Sequence, residues 1–329
     1  MTIKDVAKRA GVSVATVSRA INQPEKLSAE TLAAVNKAVA ALNYTPNSLG
    51  RSLRRAATGN VLALLPTVSN SFYGKVVSGM DEAADRLGLD LLICNTYLKP
   101  EKERYYLSLL ERRSFDGAII LASALPANEL VEISRRFPLV FACEYVPGVL
   151  ASRVCIDDQK AGHDATSYLI SRGHRRIAFV GDGSDTRQYS AVLREEGYRL
   201  ALFEAGIPAE EALILQESIS YAAGKRAAKR LLSDGKRPDA VFCAADSIAV
   251  GVAAGCKEAG LSICRDISIM GFDDIQISRV YTPNISTVSQ PRVMLGQRAM
   301  ELLHSRINGD GETEQIVLEH MLKIRASTR

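Results

Sequence analysis

The sequence lacks the motifs that would mark an enzyme. It has no GxGxxG or GK[ST] phosphate loop, no HExxH metal pair and no GxSxG nucleophile turn, and its turn GDGSD lacks the third glycine. None of the six cysteines has CxxC spacing, so buried free thiols are expected instead of a metal or redox centre. We therefore predict that the protein is not an enzyme and needs no cofactor or metal.

The chain also has no apolar run of 18 or more residues, so no membrane span is expected. Its first residues, MTIKDVAKRA, lack the apolar centre of a signal peptide, which predicts a cytoplasmic location. A 24% share of charged residues is typical of a soluble globular protein. The length of 329 residues exceeds one ordinary core and predicts two or three domains.

Positive charge is concentrated at the start of the chain. Residues 1–60 contain nine Lys or Arg and three Asp or Glu, a net charge of +6, whereas the remainder has 32 basic and 34 acidic residues. A small cationic segment before a nearly neutral body is typical of a nucleic-acid-binding module joined to another domain. The alternative is a solvated basic face that binds nothing.

Residues 1–45 predict three short helices. Thr2, Ser13 and Ser28 are suitable caps for their first residues, and Gly11 breaks the chain between the first two. Two helices joined by a short glycine-containing turn, with a third packed across them, form a helix-turn-helix domain.

The second predicted helix lies in the segment GVSVATVSRAIN and carries unusually small side chains. Val17, Ala20 and Ile21 suit a small core, which leaves the other faces to small and hydroxylated residues and one arginine. Small side chains let a helix lie deep in the major groove, and Arg19 can donate two hydrogen bonds to a guanine. The segment therefore predicts a DNA-reading helix.

The segment YTPNSLGRSLRRAATGN predicts a hinge helix or linker over residues 46–59. Pro46 ends the third helix, and Asn47 can cap a new one. Leu53 between arginines suits insertion into the minor groove, where an apolar wedge unstacks a base step. A plain basic linker is the alternative.

From Val61 onward, short apolar runs alternate with helical segments. Apolar strands joined by helices indicate parallel sheets covered on both faces, and their number predicts two similar α/β lobes. Polar residues follow several strands, where ligands of such folds bind. The predicted strands are 61–66, 89–95, 117–122, 139–143, 176–182, 240–246 and 267–274, and the predicted helices are 74–87, 101–113, 158–172, 190–205, 222–233, 247–259 and 292–307.

Seven segments carry a resemblance to a known family. They are TIKDVAKRAGVSVATVSRAIN, LNYTPN, SRGHRRIAFVGD, AVFCAAD, ISIMGFDD, STVSQP and IRASTR. Through them the chain resembles the lactose/galactose repressor family of bacterial transcription regulators over essentially its whole length. NQPEKLS, LGRSLRR, ACEYVPG and KIRASTR are most similar to its cytidine-repressor-like branch.

The resemblance implies an α/β fold class with an N-terminal three-helix helix-turn-helix domain, a hinge helix, and a two-lobed periplasmic-binding-protein-like effector domain over 60–329. Lobe 1 would comprise about 60–157 and 291–320, and lobe 2 about 158–290 and 321–329. Homodimers would bind a pseudo-palindromic double-stranded DNA operator. The implied DNA contacts are Val14, Ala15 and Arg19 to bases, Thr2, Thr16, Ser18 and Asn22 nearer the backbone, and Asn47, Arg51, Leu53 and Arg54 from the hinge helix.

The resemblance also implies an effector site. Asp246 and Asp273 would hold ligand hydroxyls, Arg194 would reach the ligand, and Phe72 and Tyr73 would stack on a ring. Two acids and an arginine suit a polyhydroxylated ligand such as a sugar, a sugar derivative or a nucleoside. Glu144 stands at a further strand end.

Three details of this site stay open. Several family members have an aromatic residue where this chain has Ile219, and Tyr221 is the candidate replacement. Asp246 also suits a helix N-cap, a role compatible with ligand binding. For Asp274 a cap or a lobe-orienting role is favoured over ligand contact.

The leading interpretation is a dimeric repressor whose operator affinity changes when a ligand closes the two lobes. The ligand can be an inducer or a co-repressor. The alternative is a solute-binding or sensor protein of the same body fold that does not bind DNA, against which residues 1–60 argue.

Overall fold

The computed structural model describes residues 1–44, 57–184, 188–233, 237–309 and 312–329. The chain divides into two compact units, Met1–Thr58 and Gly59–Arg329, which are described separately. Within the described ranges, no helix combines the length and apolar character needed to cross a membrane.

The first unit is built from three helices, as predicted. They are α1 (Ile3–Ala10), α2 (Val14–Asn22) and α3 (Ala29–Ala41). Gly11 closes α1 at φ 68°, a left-handed conformation that glycine adopts without strain. The Ser13 hydroxyl accepts the N–H of Thr16 at 3.1 Å, and Ser28 accepts that of Thr31 at 3.3 Å, so both predicted caps are confirmed.

A small core holds these helices together. Val6 and Ala7 of α1, Val17 and Ala20 of α2, and Val35 of α3 are buried in it. Ile21 packs against this core, which confirms the predicted inward face of α2.

The second unit contains two six-stranded sheets, which confirms the predicted pair of α/β lobes. The first sheet has the order β11-β5-β4-β3-β1-β2, and its pairs are parallel. Its strands are β1 (Asn60–Leu65), β2 (Asp90–Asn95), β3 (Gly117–Ile120), β4 (Leu139–Ala142), β5 (Ser152–Ile156) and β11 (Gln315–Leu318).

The second sheet has the order β12-β10-β9-β8-β6-β7 and is parallel except for its antiparallel edge strand β12. Its strands are β6 (Ile177–Asp182), β7 (Ile214–Glu217), β8 (Ala240–Cys243), β9 (Ser268–Phe272), β10 (Ser286–Ser289) and β12 (Met321–Lys323). The central strands β6, β8 and β9 are buried throughout because helices cover both faces.

Helices connect most of the strands. They are α4 (Ser71–Leu87), α5 (Pro100–Glu111), α6 (Ala127–Arg136), α7 (Asp158–Ser171), α8 (Tyr189–Glu204), α9 (Tyr221–Ser233), α10 (Asp246–Glu258), α11 (Gln276–Val280) and α12 (Arg292–Ile307).

The chain passes between the two sheets three times. It leaves the first sheet after β5 for α7, returns after β10 to α12, and passes directly from β11 to β12. Neither half is therefore a continuous stretch of sequence.

The predicted strands agree with the long apolar runs, but five strands were missed. β5, β7, β10, β11 and β12 are three to five residues long and contain Ser, Gln, Arg or Lys. Three of them, β7, β11 and β12, lie at sheet edges, where one side of the strand faces solvent and apolar runs are not required. The predicted strand over 240–246 was too long, since β8 ends at Cys243 and α10 begins at Asp246.

Candidate DNA-binding and effector sites

The exposed face of α2 carries the residues predicted to read bases. Val14 is 41% exposed, and Ala15 and Arg19 are also exposed, while Thr16 and Ser18 are half-buried. The Thr16 hydroxyl lies 2.9 Å from that of Ser13, inside the N-terminal cap. The helix therefore offers two small apolar side chains and one cation to a partner.

Thr2 lies at the exposed start of α1. Its backbone N–H donates to the Asp5 carboxylate at 2.8 Å, and its hydroxyl does so at 3.0 Å. This geometry fixes the first turn, and a DNA contact by Thr2 stays a prediction.

Some predicted contacts cannot be placed. Asn47, Arg51, Leu53 and Arg54 lie outside the described residues, as does the side chain of Asn22. The predicted hinge helix stays a prediction for the same reason.

The second unit has a cavity between the carboxyl ends of its two sheets. A space of about 410 Å³ adjoins a smaller one of about 70 Å³, and both are lined by Asn70, Tyr73, Asp182, Gln188 and Ile219. The larger volume is typical of small-molecule sites.

Arg194 of α8 is held firmly on the wall of the smaller space. Its Nε donates to Oδ1 of Asp158 at 2.8 Å, and its Nη1 donates to the Ala244 carbonyl at 2.9 Å. The guanidinium also lies 3.7 Å from the centre of the Phe272 ring. Its charge is therefore largely neutralised inside the protein.

The close packing of α7 on α8 explains this arrangement. A Cβ on Gly162 would lie 2.4 Å from the Arg194 carbonyl oxygen, and one on Gly197 would lie 2.0 Å from that of Gln159. Only glycine permits this approach, which brings Asp158, the first residue of α7, beside Arg194.

Asp273 follows β9 and lines the same space. It adopts φ 103°, a strained conformation for a residue other than glycine, and such strain is concentrated at functional sites. Gln290 donates its Nε2 proton to Asp273 Oδ1 at 2.8 Å, and Arg194 Nη1 lies 3.9 Å from the same oxygen. Burial raises the pKa of Asp273 to about 6.

Glu144 follows β4 and connects the two halves. Its carboxylate accepts the Ser190 hydroxyl at 2.6 Å and the Ser190 N–H at 3.1 Å, at the start of α8. It also accepts the N–H of Tyr145 at 2.9 Å. Burial raises the pKa of Glu144 to about 7, although these hydrogen bonds favour the ionised form.

Asp182 ends β6 and lines both spaces. Its carboxylate accepts the N–H and the hydroxyl of Ser184 at 3.0 and 3.1 Å, so it shapes the turn that follows the strand. Asp182 is only 5% exposed.

Aromatic rings form part of the opposite wall. Phe72 and Tyr73 at the start of α4 line the cavity with their ring centres 5.3 Å apart in an edge-to-face arrangement. Burial raises the pKa of Tyr73 well above its ordinary value, so its hydroxyl stays protonated.

The position where the family resemblance predicts an aromatic ring is occupied by an aliphatic side chain. Ile219 lines both spaces and is 45% exposed. Tyr221, the first residue of α9, is 48% exposed and is absent from the cavity lining of the described residues. The structure therefore does not place Tyr221 at the position of the missing ring.

Asp246 does not reach the cavity either, which corrects the expectation of ligand contact. It is fully buried, and its two oxygens accept the Thr287 hydroxyl at 2.6 Å and the Ile275 N–H at 2.8 Å. It is not the N-cap of α10, a position that Ala245 occupies. Asp246 instead ties α10 to the segments around β9 and β10.

Asp274 also points away from the cavity. Its carboxylate pairs with Arg279 at 2.6 Å and Arg325 at 2.5 Å within the second half. This agrees with the orienting role favoured from the sequence.

Several residues of the site were missed. Asn70, Asp182 and Gln188 line the cavity, Ser190 bonds Glu144, and Asp158 and Gln290 hold Arg194 and Asp273. Asn70 and Asp182 lie in polar segments after strands, a signal the sequence did carry. The other four became evident only from contacts between distant segments.

Family models and relatives agree with this architecture. The model for bacterial regulatory proteins of the lacI family matches residues 2–47, and that for a periplasmic binding protein-like domain matches 166–328. The HTH-type transcriptional regulator DegA of Bacillus subtilis (strain 168) is 36% identical, with 99% of this chain and 98% of DegA covered. The repressor CytR of Escherichia coli (strain K12) is 33% identical, with 100% of this chain and 96% of CytR covered. Placement within the cytidine-repressor-like branch stays a prediction.

Among solved structures, the lac repressor dimer bound to operator and the anti-inducer ONPF superposes with a TM-score of 0.89 at 25% identity. The match covers 100% of this chain and 99% of that chain. Together with the geometry of α2 and of the cavity, these matches decide the assignment. The chain belongs to the lacI family of bacterial regulatory proteins, and it is a ligand-responsive, DNA-binding transcription regulator and not an enzyme.

Proposed function

We propose that the protein is a transcriptional repressor that binds a pseudo-palindromic operator as a homodimer, and that a small polyhydroxylated ligand in the cavity changes its operator affinity. The observation that carries this proposal is that one chain holds both an exposed α2 with Arg19 and a cavity walled by two sheets. Its site of action is the cytoplasm, where the DNA is.

We assign one role to each of three successive segments of the chain. Residues 1–45 read the operator, residues 46–59 form the hinge, and residues 60–329 bind the ligand and dimerise. Val14, Ala15 and Arg19 contact bases, and Thr2, Thr16, Ser18 and Asn22 contact the backbone. Asn47, Arg51, Leu53 and Arg54 act from the hinge.

The proposed ligand contacts are those side chains that face the cavity. Asp273 and Glu144 accept hydrogen bonds from hydroxyls, Arg194 and Tyr73 supply donors, and Phe72 and Ile219 cover an apolar face of the ligand. A ligand that bridges both walls favours the closed arrangement of the two halves, and this preference is the source of its effect on DNA binding.

The test begins by selecting an operator from random duplex DNA with the purified protein. Binding is then measured by fluorescence anisotropy over a range of salt concentrations, with and without sugars and nucleosides. We expect a two-fold-symmetric site and a steep loss of affinity as salt rises. Failure to enrich any sequence would contradict DNA recognition, and enrichment of a single half-site would contradict the dimer.

A further inference from the structure

The described lining of the cavity is rich in carboxylates. Glu144 and Asp273 line the smaller space, and Asp182 lines both spaces. Arg194, on the wall of the smaller space, is the one cationic side chain among the described lining residues. That arginine is paired with Asp158 at 2.8 Å, which lies behind the wall. Among the described lining residues, the charge that faces a ligand is therefore negative, and none of their cations is left to pair with an anionic group.

Helix N-termini are the other common binding sites for anions, and those of α4, α8 and α10 lie at this cavity. At the start of α8 the anion position is already filled by the protein, because the Glu144 carboxylate accepts the Ser190 N–H. At the start of α4 the Phe72 N–H donates to Oδ1 of Asn70 at 3.0 Å. The N–H groups of Ser190 and Phe72 are therefore engaged within the chain, and the first turn of α10 carries the acid Asp246.

The acids themselves respond to this crowding. Burial raises the pKa of Glu144 to about 7 and that of Asp273 to about 6, and the charge of Asp158 adds to both shifts. Both carboxyl groups therefore bind a proton at a higher pH than ordinary Glu and Asp side chains do. A phosphate or carboxylate placed there would add like charge to a buried site without a partner, which is strongly unfavourable.

Neutral polar groups fit the same walls well. A ligand hydroxyl can donate to the carboxylates of Asp182 or Asp273, and the Tyr73 hydroxyl offers a donor in return. Phe72 and Ile219 provide apolar surface for the carbon face of a ring. An amine would meet the carboxylates with opposite charge.

From these observations we infer that the effector is a polyhydroxylated molecule without a phosphate or carboxylate group, either neutral or amine-bearing. This inference rests on the proposed function, since it names the class of ligand that the proposed effector site accepts. It excludes sugar phosphates, nucleotides and sugar acids. These compounds carry the same hydroxyl groups as the expected ligands, but they are also negatively charged.

The test uses matched series of compounds. The members of each series share the same sugar or nucleoside and differ in charge. Suitable sets are ribose and ribose 5-phosphate; glucose, glucosamine and glucose 6-phosphate; and cytidine or adenosine with their 5′-monophosphates. Thermal unfolding of the full chain is measured with each compound, and those that shift the midpoint are titrated by calorimetry. At 100 times its Kd, a ligand raises the midpoint by about 5–11 °C.

We expect a neutral or amine member of at least one series to bind, and its phosphorylated counterpart to bind at least roughly 100-fold more weakly. Asp182→Asn removes one lining carboxylate and should reduce the difference in affinity between the unphosphorylated and phosphorylated compounds. Asp85→Asn, at an exposed position of α4, should leave that difference unchanged.

Equal or tighter binding of a phosphorylated member would overturn the inference and leave the proposed function intact. A result in which no series binds would also overturn it, because neutral polyols are the expected ligands. Operator binding by the same preparation shows separately whether the DNA-binding part of the proposed function holds.

Discussion

The exposed face of α2 and the wall of the cavity are built in opposite ways to bind a partner. On α2, Val14, Ala15 and Arg19 project from one short helix whose other face holds the core. On the cavity wall, Arg194, Asp273 and Glu144 are nearly buried and already bonded to Asp158, Gln290 and Ser190. The first surface is set by a single helix, and the second by contacts among residues far apart in sequence.

This difference decides how each surface tolerates change. A side chain on the face of α2 can be removed with little effect on stability, because it packs against little of its own domain. A side chain on the cavity wall belongs to a bonded network, so its removal affects stability and ligand binding together. The predictions below separate these effects, from the largest to the smallest.

Arg19→Ala should weaken operator binding most. A bidentate contact from arginine to guanine contributes about 1–3 kcal/mol, and a homodimer makes two, so a loss of about 2–6 kcal/mol is expected. Fluorescence anisotropy with the selected operator measures it. Lys37→Ala on the exposed side of α3 removes the same charge and should cost far less. Similar losses of operator affinity in both variants would show that Arg19 acts only through its positive charge and does not contact a particular base.

Asp246→Ala should mainly destabilise the protein. It leaves the Ile275 N–H and the Thr287 hydroxyl buried without their acceptor, which costs about 2–5 kcal/mol and lowers the unfolding midpoint by roughly 5–15 °C. Ligand affinity of the folded variant should stay close to that of the unchanged protein.

Asp246→Asn is the matched control. Burial raises the pKa of Asp246 to about 8, so the side chain is largely protonated at pH 7 and an amide resembles it. We expect most of the stability to return. If ligand affinity falls in both Asp246→Ala and Asp246→Asn, Asp246 contributes to ligand binding after all.

Asp273→Ala should reduce ligand affinity by about 1.5–3 kcal/mol, which corresponds to roughly 10- to 150-fold. Calorimetric titration measures the loss, with a compound that raises the unfolding midpoint in the ligand series described above. Operator binding without ligand should stay near normal, since α2 is unchanged. A variant that still responds normally to the ligand would show that Asp273 faces the cavity without contacting its occupant.

Glu144→Gln should have the smallest effect at pH 7, and its main effect is on the pH dependence of stability. The folded protein keeps the Glu144 proton up to about pH 7, whereas the unfolded chain releases it near its ordinary pKa of 4.5. Its contribution to stability is therefore complete below that ordinary value and is lost as pH rises through about 7. Asp273 and Asp246 act in the same direction.

Between pH 5 and pH 8, the unfolding midpoint of the unchanged protein should therefore fall. In Glu144→Gln the fall should be smaller by roughly 2–3 kcal/mol, which corresponds to about 5–10 °C. It should not vanish, because Asp273 and Asp246 still titrate. An unchanged slope would mean that the carboxyl of Glu144 does not titrate in this range.

The sequence predicted the features that depend on neighbours along the chain. The caps Ser13 and Ser28, the inward face of α2 and the strands with long apolar runs are all local patterns. The positions of Glu144 and Asp273 at strand ends could also be predicted, because the carboxyl ends of parallel strands meet at one edge.

The remaining features depend on contacts that no local pattern contains. Asp158 meets Arg194 only because two glycines let α7 and α8 pack closely. Asp246 and Asp273 both follow buried strands and look alike in sequence. They differ because a Cβ at Gly271 would lie 2.3 Å from Asp246, which shows that β9 passes directly against it and seals it from the cavity.

The three passages between the sheets have a consequence for synthesis on the ribosome. The helix-turn-helix unit is complete once its last helix has emerged, but the first sheet waits for α12 and β11 and the second for β12, all near the end of the chain. At translation rates of roughly 5–20 residues per second, that delay is roughly 15–55 seconds. Each nascent chain thus carries a finished DNA-binding head while its regulatory body is still unfinished.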